Sequence, residues 1–195
     1  MAASTPTPTV GIVIPAYNEE STIRPCVLAA LNQTVPAHEI IVVDNMSTDL
    51  TSAILAELVS DFPDAPLRVL RQDAEQGITP TRNMGFDAVT AEVIGRIDSD
   101  SVVEPNWIEA TGALFRDVSI DAATGPVTYY DMPLRRYMAL ADDSARKAIS
   151  RLVKQYHFLF GTNMALRRSA WIDVRKDICL DADHEMFEDI DLSVH

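Results

Sequence analysis

Short apolar runs alternate with helix-like segments along the first half of the chain. The runs predicted as buried strands span residues 10–14, 39–43, 67–70 and 93–97. The segments between them predict helices over residues 22–31, with Ser21 as the N-cap, over residues 49–61, and over residues 77–89. This β-α-β order is typical of parallel strands joined by right-handed crossovers, so we expect an α/β fold.

The second half of the chain has a looser pattern. We expect a helix over residues 105–115, a strand over 122–130, a mostly helical stretch over 134–158, a short strand over 161–166 and a helix from Ser169. At 195 residues the chain fits a single domain with a sizeable core.

Two carboxylates stand directly after the fourth predicted strand, at Asp98 and Asp100. In extended backbone, residues two apart point the same way, so both side chains can approach one ligand. Such a pair repels itself unless a cation lies between the carboxylates, and Mg²⁺ or Mn²⁺ with substrate phosphates suits oxygen ligands better than zinc does. We therefore expect a divalent metal site for a diphosphate, the alternative being an ordinary acidic turn.

Other polar residues follow the remaining strands, and parallel strands bring such ends to one edge of the sheet. Residues 16–19 follow the first strand, Asp44 the second, and Arg71 and Asp73 the third. We expect these residues to meet Asp98 and Asp100 on one rim, as a nucleotide pocket requires.

The charge of the chain limits its partners. The formal net charge of −13 argues against nucleic acid as a partner and against electrostatic docking on anionic lipid. A nucleotide can still bind if a metal and a few arginines offset the local charge.

Targeting and redox features are sparse. Cys26 and Cys179 have no metal-ligand spacing and are interpreted as free thiols. The first residues lack the basic and apolar regions of a signal peptide, and no stretch is long enough for a transmembrane segment. We therefore expect a cytoplasmic protein, with contact to a membrane only through its acceptor.

Six ordered blocks of the sequence resemble family 2 glycosyltransferases. They are VGIVIPAYNEE from Val10, EIIVVDNMSTD from Glu39, Gly77 with TRNMG from Thr81, DSD at Asp98, GTNMALRR from Gly161, and FEDIDL from Phe187. One block alone is weak, but six in the expected order and spacing identify the family firmly.

The resemblance implies a GT-A fold, a Rossmann-like, mostly parallel sheet flanked by helices, with a C-terminal acceptor-side portion. It also implies a nucleotide-diphospho-sugar donor, a UDP- or GDP-sugar, and a divalent metal, Mn²⁺ or Mg²⁺. We accordingly expect a flexible tail over residues 1–9 and one domain over 10–195. Its nucleotide-binding half would end near residue 100 and its acceptor-side half near 195.

Site residues follow from the resemblance, position by position. Pro15, Ala16, Tyr17 and Glu19 would line the nucleoside pocket, Asp44 would bond the base, Arg82 would lie near the diphosphate, Asp98 would face the ribose or sugar and contact the metal, and Asp100 would bind the metal. For three of these a plainer role stays open. Asp44 could cap a turn with Asn45, Tyr17 could pack on the first helix, and Arg82 could pair with Asp87 or Glu75.

The catalytic pair implied by the family is Glu188 and Asp189, with Asp189 as the general base. The base would take the proton of an acceptor hydroxyl, on an unidentified glycan or lipid-linked acceptor, as it attacks the donor from the face opposite the leaving group. Direct displacement inverts the anomeric carbon. The same acidic stretch could instead be a solvated loop that caps a last helix.

The class of function therefore has one leading reading and one alternative. The leading reading is an inverting, metal-dependent glycosyltransferase, and the alternative is a nucleotide-sugar-binding module that no longer transfers. The chain ends soon after Asp189, whereas many relatives continue, so it is either a minimal protein or a truncated one. No GxGxxG follows a strand, which disfavours a dinucleotide oxidoreductase. The first strand is not followed by the Gly-rich basic loop of a nucleotidyltransferase.

Overall fold

The computed structural model describes residues 6–127 and 159–178, which contain six strands and five helices. The strands are β1 (Val10–Ala16), β2 (Glu39–Asp44), β3 (Leu67–Arg71), β4 (Val93–Ile97), β5 (Ala122–Thr124) and β6 (Asn163–Arg167). The helices are α1 (Ile23–Leu31), α2 (Thr51–Asp61), α3 (Ile78–Ala88), α4 (Trp107–Leu114) and α5 (Arg168–Val174).

The strands form one mixed sheet in the order β3-β2-β1-β4-β6-β5. β1 to β4 are mutually parallel, while β6 runs antiparallel to both β4 and β5. This confirms the expected mostly parallel α/β sheet. It also places β4, the strand that leads into Asp98, between β1 and β6 in the middle of the sheet.

Both faces of the sheet are buried, because successive side chains of a strand point to opposite sides. Ile12 and Ile14 of β1 pack in the cluster that includes residues of α1, α2 and α4. Val13, between them, packs in the second cluster with Phe86 of α3 and Trp171 of α5. Each fully buried aliphatic or aromatic side chain stabilises the fold by about 1.5–3 kcal/mol.

Two glycines allow close contacts between layers. Gly85 of α3 lies against Val13, and a Cβ at this position would overlap the valine side chain. Gly95 of β4 lies under the Trp107 ring, whose Nε1 donates to Asn163 Oδ1 at 2.9 Å. The second contact joins α4, β4 and β6, and so fixes the strand that carries the acidic motif.

The Glu39 carboxylate joins elements at the amino edge of the parallel strands. It accepts hydrogen bonds from the Thr90 amide (2.6 Å), the Thr90 hydroxyl (2.7 Å) and the Ala91 amide (3.1 Å). Arg68 of β3 donates to the same carboxylate at 2.6 Å. Burial alone would raise the pKa of Glu39, but these donors together lower it below its ordinary value of 4.5.

The predicted strands are confirmed, with shifts at several element ends. β1 extends through Pro15 to Ala16, and the helix expected from residue 105 begins at Trp107. β5 ends at Thr124, and the rest of the strand expected over 122–130 continues past residue 127, outside the described residues. The helical stretch expected over 134–158 also lies outside them.

The N-cap assigned to Ser21 is wrong. The residue before α1 is Thr22, and it makes no side-chain capping bond. Its hydroxyl donates instead to the Glu19 carboxylate at 2.6 Å, while the Glu19 carbonyl accepts the amides of Thr22 and Ile23. The start of α1 is thus held by a turn that begins at Glu19.

Part of the segment assigned to the tail is bonded to the domain. The Thr9 amide donates to Glu92 Oε2 at 2.9 Å, and the Glu92 amide donates to Thr9 Oγ1 at 3.0 Å. Arg116 Nε donates to Thr7 Oγ1 at 2.8 Å. The division into one domain and two halves stays a prediction.

Candidate functional site

A pocket of about 710 Å³ opens at the carboxyl ends of β1 and β4, between the loops that follow β1, β2, β3 and β4. Its described lining consists of Pro15, Ala16, Tyr17, Glu19, Asn45, Gln76, Gly77, Ile78, Thr81, Arg96, Asp98, Ser99 and Asp100. Six of the residues named from the sequence therefore come together here: Pro15, Ala16, Tyr17, Glu19, Asp98 and Asp100.

Charge is unevenly distributed in this pocket. Its described lining contains three carboxylates, on Glu19, Asp98 and Asp100, and one guanidinium, on Arg96. The Arg96 side chain is 4% exposed, and its Nη2 donates to Asp98 Oδ1 at 3.1 Å. Like charges gathered in one cleft repel, so this part of the pocket favours a cationic ligand or a ligand that brings a cation with it.

Cys26 of α1 lies beneath the acidic turn. Its side chain is fully buried, and the Sγ donates to the Asp98 carbonyl at 3.5 Å. Burial first, then the negative charges of Asp100, Asp98 and Glu19, raise the pKa of this thiol to about 12. The thiol thus stays protonated and donates to the turn, while its shifted pKa shows that the three carboxylates act on one point.

The loops after β1 and β2 are bonded to each other at the rim of the pocket. Asn18, in the left-handed region at φ 55°, accepts the Thr48 amide on its Oδ1 at 2.8 Å. The Asn18 amide donates to Ser47 Oγ at 3.0 Å, and the Glu19 amide donates to Thr51 Oγ1 at 2.7 Å. These bonds fix the segment that presents Tyr17, which is 46% exposed at the pocket mouth.

Asn45 holds another wall of the pocket. It is 2% exposed, and its Nδ2 donates to the carbonyls of Gln72 and Glu75, each at 2.9 Å. Its Oδ1 accepts the Gly77 amide at 2.7 Å. Gly77 has φ 147°, a value that side chains rarely adopt, so this bond secures a conformation that glycine permits. The loop over residues 72–77 is therefore fixed to the end of β2.

Asp44 lies next to this wall but is not among the described residues that line the pocket. It is 1% exposed; its Oδ1 accepts the Ser47 amide at 3.2 Å, and its Oδ2 accepts the Ser52 hydroxyl. These bonds correspond to the turn-capping alternative. Its contact with a base stays a prediction.

Arg82 is also absent from the described pocket lining. Its side chain is fully buried, and Nε and Nη2 donate to Asn83 Oδ1 at 3.1 and 2.9 Å. The guanidinium carbon lies 6.0 Å from the Phe86 ring and 5.9 Å from the Trp171 ring, which is the geometry of a cation–π contact. Asp87, proposed from the sequence as a partner, accepts hydrogen bonds from Arg175 and Trp171.

Two further pairs of predicted site residues lie elsewhere. Arg71 and Asp73 pair with each other at 3.3 Å on an exposed surface, outside the described pocket lining. Glu188 and Asp189 lie outside the described residues, so their roles stay predictions.

The family model for glycosyl transferase family 2 matches residues 11–175, which is most of the chain. The chain belongs to glycosyl transferase family 2. This confirms the resemblance found in the sequence.

Individual relatives agree with this assignment. Over 124 residues, 63% of the chain, it is 30% identical to "Glycosyltransferase AglE" of Haloferax volcanii, of which it covers 40%. Among solved structures it resembles a mannosyltransferase from Pyrobaculum calidifontis in complex with GDP-Man and Mn²⁺, with TM-score 0.68 and 20% identity. That match covers 96% of the chain and 51% of the mannosyltransferase.

A second solved structure is S. aureus TarS 1-349 in complex with UDP-GlcNAc, with TM-score 0.64 and 18% identity. The match covers 93% of this chain and 51% of TarS 1-349. These likenesses establish the GT-A fold of this family 2 domain. The chain spans about half or less of the length of each of these relatives.

The family implies a divalent metal, and the donor set of this pocket fits one. Within residues 6–127 and 159–178, no group of three or more His, Cys, Asp or Glu side chains is arranged to hold an ion. Mg²⁺ and Mn²⁺ do not require such a group, because one or two carboxylates with substrate phosphates complete an octahedral oxygen shell. Asp98 and Asp100 supply carboxylates of this kind.

Several pocket residues of this family 2 domain were not predicted as site residues. Arg96 was interpreted only as part of a buried strand, although an arginine inside an apolar run is itself a signal of function. Asn45 was considered only as a turn partner of Asp44. Gln76, Ile78 and Thr81 carry no sequence pattern that separates them from ordinary loop and helix residues.

One further finding concerns membranes. Among the described parts of the chain, no helix combines the length and apolar character needed to cross a bilayer.

Proposed function

We propose that this chain is the catalytic domain of an inverting, metal-dependent glycosyltransferase that moves a sugar from a nucleotide-diphospho-sugar to an acceptor hydroxyl. The observation that carries the proposal is the pocket at the carboxyl edge of the sheet, where Asp98 and Asp100 face the rim formed by Tyr17 and Glu19. Open α/β sheets bind nucleotides at this edge. Membership of family 2 supports the same reaction class.

The donor would be a UDP- or GDP-sugar. A mannosyltransferase of the same fold is described in complex with GDP-Man and Mn²⁺, and TarS in complex with UDP-GlcNAc. In this chain, Tyr17 and the loop held by Asn45 would enclose the nucleoside. The exposed Tyr17 ring offers a face on which a base can stack.

Asp100, with Asp98, would hold the divalent cation, Mn²⁺ or Mg²⁺. Bound there, the metal would neutralise the charge that develops on the leaving diphosphate. The chain's own residues orient the donor, since Asp98 is fixed by Arg96 and by the Cys26 thiol on opposite sides of the residue. The three carboxylates also explain why a diphosphate would not enter this pocket without a cation.

Asp189 would act as the general base, next to Glu188. It would accept the acceptor's hydroxyl proton during attack, a contribution of about 10²–10⁴-fold in rate. Attack from the face opposite the leaving nucleoside diphosphate forms the new glycosidic bond as the old one breaks. A single displacement of this kind inverts the anomeric carbon.

The test has two stages, binding and turnover. Isothermal titration would measure UDP, GDP and their sugars with and without Mn²⁺, and donor turnover would then be compared between the wild type and Asp189→Asn. We expect Mn²⁺-dependent binding of UDP or GDP, and loss of turnover in Asp189→Asn with binding retained. Asp64→Asn, an exposed carboxylate before β3, is the matched control.

Each other outcome has a definite meaning. Binding without turnover by the wild type would favour the nucleotide-sugar-binding module. Turnover that persists in Asp189→Asn would remove that residue as the base. No binding of any nucleotide, with or without metal, would contradict both functions.

A further inference from the structure

Arg96 occupies an unusual position for a charged residue. It belongs to β4, a central strand, and it pairs across β1 with Val13 and across β6 with Met164, both fully or nearly fully buried. Its side chain is 4% exposed and reaches the pocket at the carboxyl edge. Burying a guanidinium in the middle of a sheet is costly unless charged partners compensate it.

One partner is the Asp98 carboxylate, two residues along the chain. Arg96 Nη2 donates to Asp98 Oδ1 at 3.1 Å, and the Asp98 side chain is 30% exposed. The hydrogen bond is charge-assisted on both sides, the stronger class of protein hydrogen bonds. It restricts the rotation of Asp98 at the position from which the acidic motif faces the pocket.

The chain also makes space for this guanidinium at a distant residue. Gly161 lies against it, and a Cβ on Gly161 would stand 2.6 Å from the guanidinium carbon, far inside contact distance. Because the Arg96 side chain is buried, it has little room to move away. Any larger residue at position 161 would therefore displace the group that holds Asp98.

We propose that Arg96 is a positioning residue that orients Asp98 for metal-assisted donor binding, and that position 161 is glycine because the Arg96 guanidinium occupies the space of a side chain there. The proposal rests on the proposed function, because its readout is nucleotide binding. It assigns Arg96 a role through Asp98 and not through direct contact with the reacting atoms. It also makes the turn before β6 part of the donor pocket's support.

The test is a double-mutant cycle on the full chain, with isothermal titration of UDP and of GDP in the presence of Mn²⁺. The variants are Arg96→Met, Asp98→Asn and their combination. We expect Arg96→Met to weaken binding about tenfold, as loss of one charge-assisted hydrogen bond at a ligand site does. The combined variant should bind as Asp98→Asn does, because the two residues act in series.

Two further variants separate positioning from folding. Arg96→Lys keeps a charged donor and should recover part of the affinity, whereas Gly161→Ala should weaken binding although both charges remain. Arg68→Met removes an arginine–carboxylate pair at the opposite edge of the sheet, and it is the matched control. It should lower thermal stability and leave nucleotide affinity unchanged.

The outcomes are distinguishable. Wild-type affinity in a folded Arg96→Met variant would overturn the inference alone, and so would additive effects of Arg96→Met and Asp98→Asn. If Arg96→Met does not fold, unchanged affinity in folded Gly161→Ala would overturn it instead. Absence of nucleotide binding by the wild type would overturn the proposed function and this inference with it.

Discussion

At the amino edge of the sheet, the Glu39 carboxylate accepts hydrogen bonds from Thr90, Ala91 and Arg68. At the carboxyl edge, three carboxylates face one pocket beside Arg96. The first arrangement stabilises the fold with donors from the protein itself. The second concentrates negative charge where the sheet opens to ligands. The comparison suggests that acidic residues at one edge serve stability and those at the other serve binding.

The largest effect is expected from removing a charge at the carboxyl edge. Asp100→Asn should lower Mn²⁺-dependent sugar transfer by about 10²–10³-fold, the usual loss when electrostatic stabilisation of a leaving group is removed. The melting temperature should stay within a few degrees or rise, because repulsion among Glu19, Asp98 and Asp100 is reduced. Initial rates and thermal unfolding, with Asp64→Asn as control, would check this. Unchanged transfer would break the comparison.

The next effect concerns the wall between the two edges. Asn45→Ala would leave the Gln72 and Glu75 carbonyls and the Gly77 amide without their side-chain partner. We expect a loss of about 1–3 kcal/mol in the free energy of unfolding, and nucleotide binding weaker by a similar amount. Denaturant unfolding and titration would measure both. A loss of stability with full affinity would show that this loop does not shape the pocket.

At the amino edge, acid should reveal the contribution of Glu39. Its folded-state pKa is lowered, so its stabilisation is present above its ordinary value of 4.5 and is lost as the pH falls through the lower, folded value. Glu39→Gln should therefore destabilise the protein by about 1–2 kcal/mol at neutral pH and flatten the acid limb of the stability curve. Denaturant unfolding between pH 7 and 3 would test this. A wild-type acid limb in the variant would contradict it.

The smallest effect is chemical. Because Cys26 is fully buried and its pKa is raised to about 12, a neutral alkylating reagent should not modify it in the folded protein at neutral pH. Labelling followed by mass spectrometry, in a Cys179→Ser background, would measure this residue alone. Unfolding in denaturant should make it reactive. Rapid labelling of the folded protein would place the thiol outside the acidic cluster.

The fold was largely predictable because its central strands are apolar runs buried on both faces. Val93–Ile97 was predicted with its observed limits. Helix starts were less predictable, since the start of α1 depends on Glu19 and not on the favourable capping residue Ser21. The place of β6 beside β4 was not predicted, because strand pairing over such a distance leaves no local pattern.

The pocket was predictable where a motif coincides with a strand end. Asp98 and Asp100 follow β4, and residues 15–19 end or follow β1, so topology alone brings them together. Arg96 and Asn45 were missed because their importance comes from what they hold, Asp98 in one case and the loop over residues 72–77 in the other. Contacts of that kind depend on tertiary packing, which a linear pattern does not encode.

The pairing of β5 with β6 has a consequence for how this architecture can diversify. Thr124 lies opposite Met164, and the Gly125 amide donates to the Asn163 carbonyl at 2.9 Å, so the intervening segment leaves and rejoins the sheet at neighbouring backbone positions. The entropic cost of closing a loop grows only slowly with its length. Evolution can therefore lengthen, shorten or exchange that insertion while the anchoring strands keep their register. The fold offers a fixed port for variable sequence one strand away from the acidic motif.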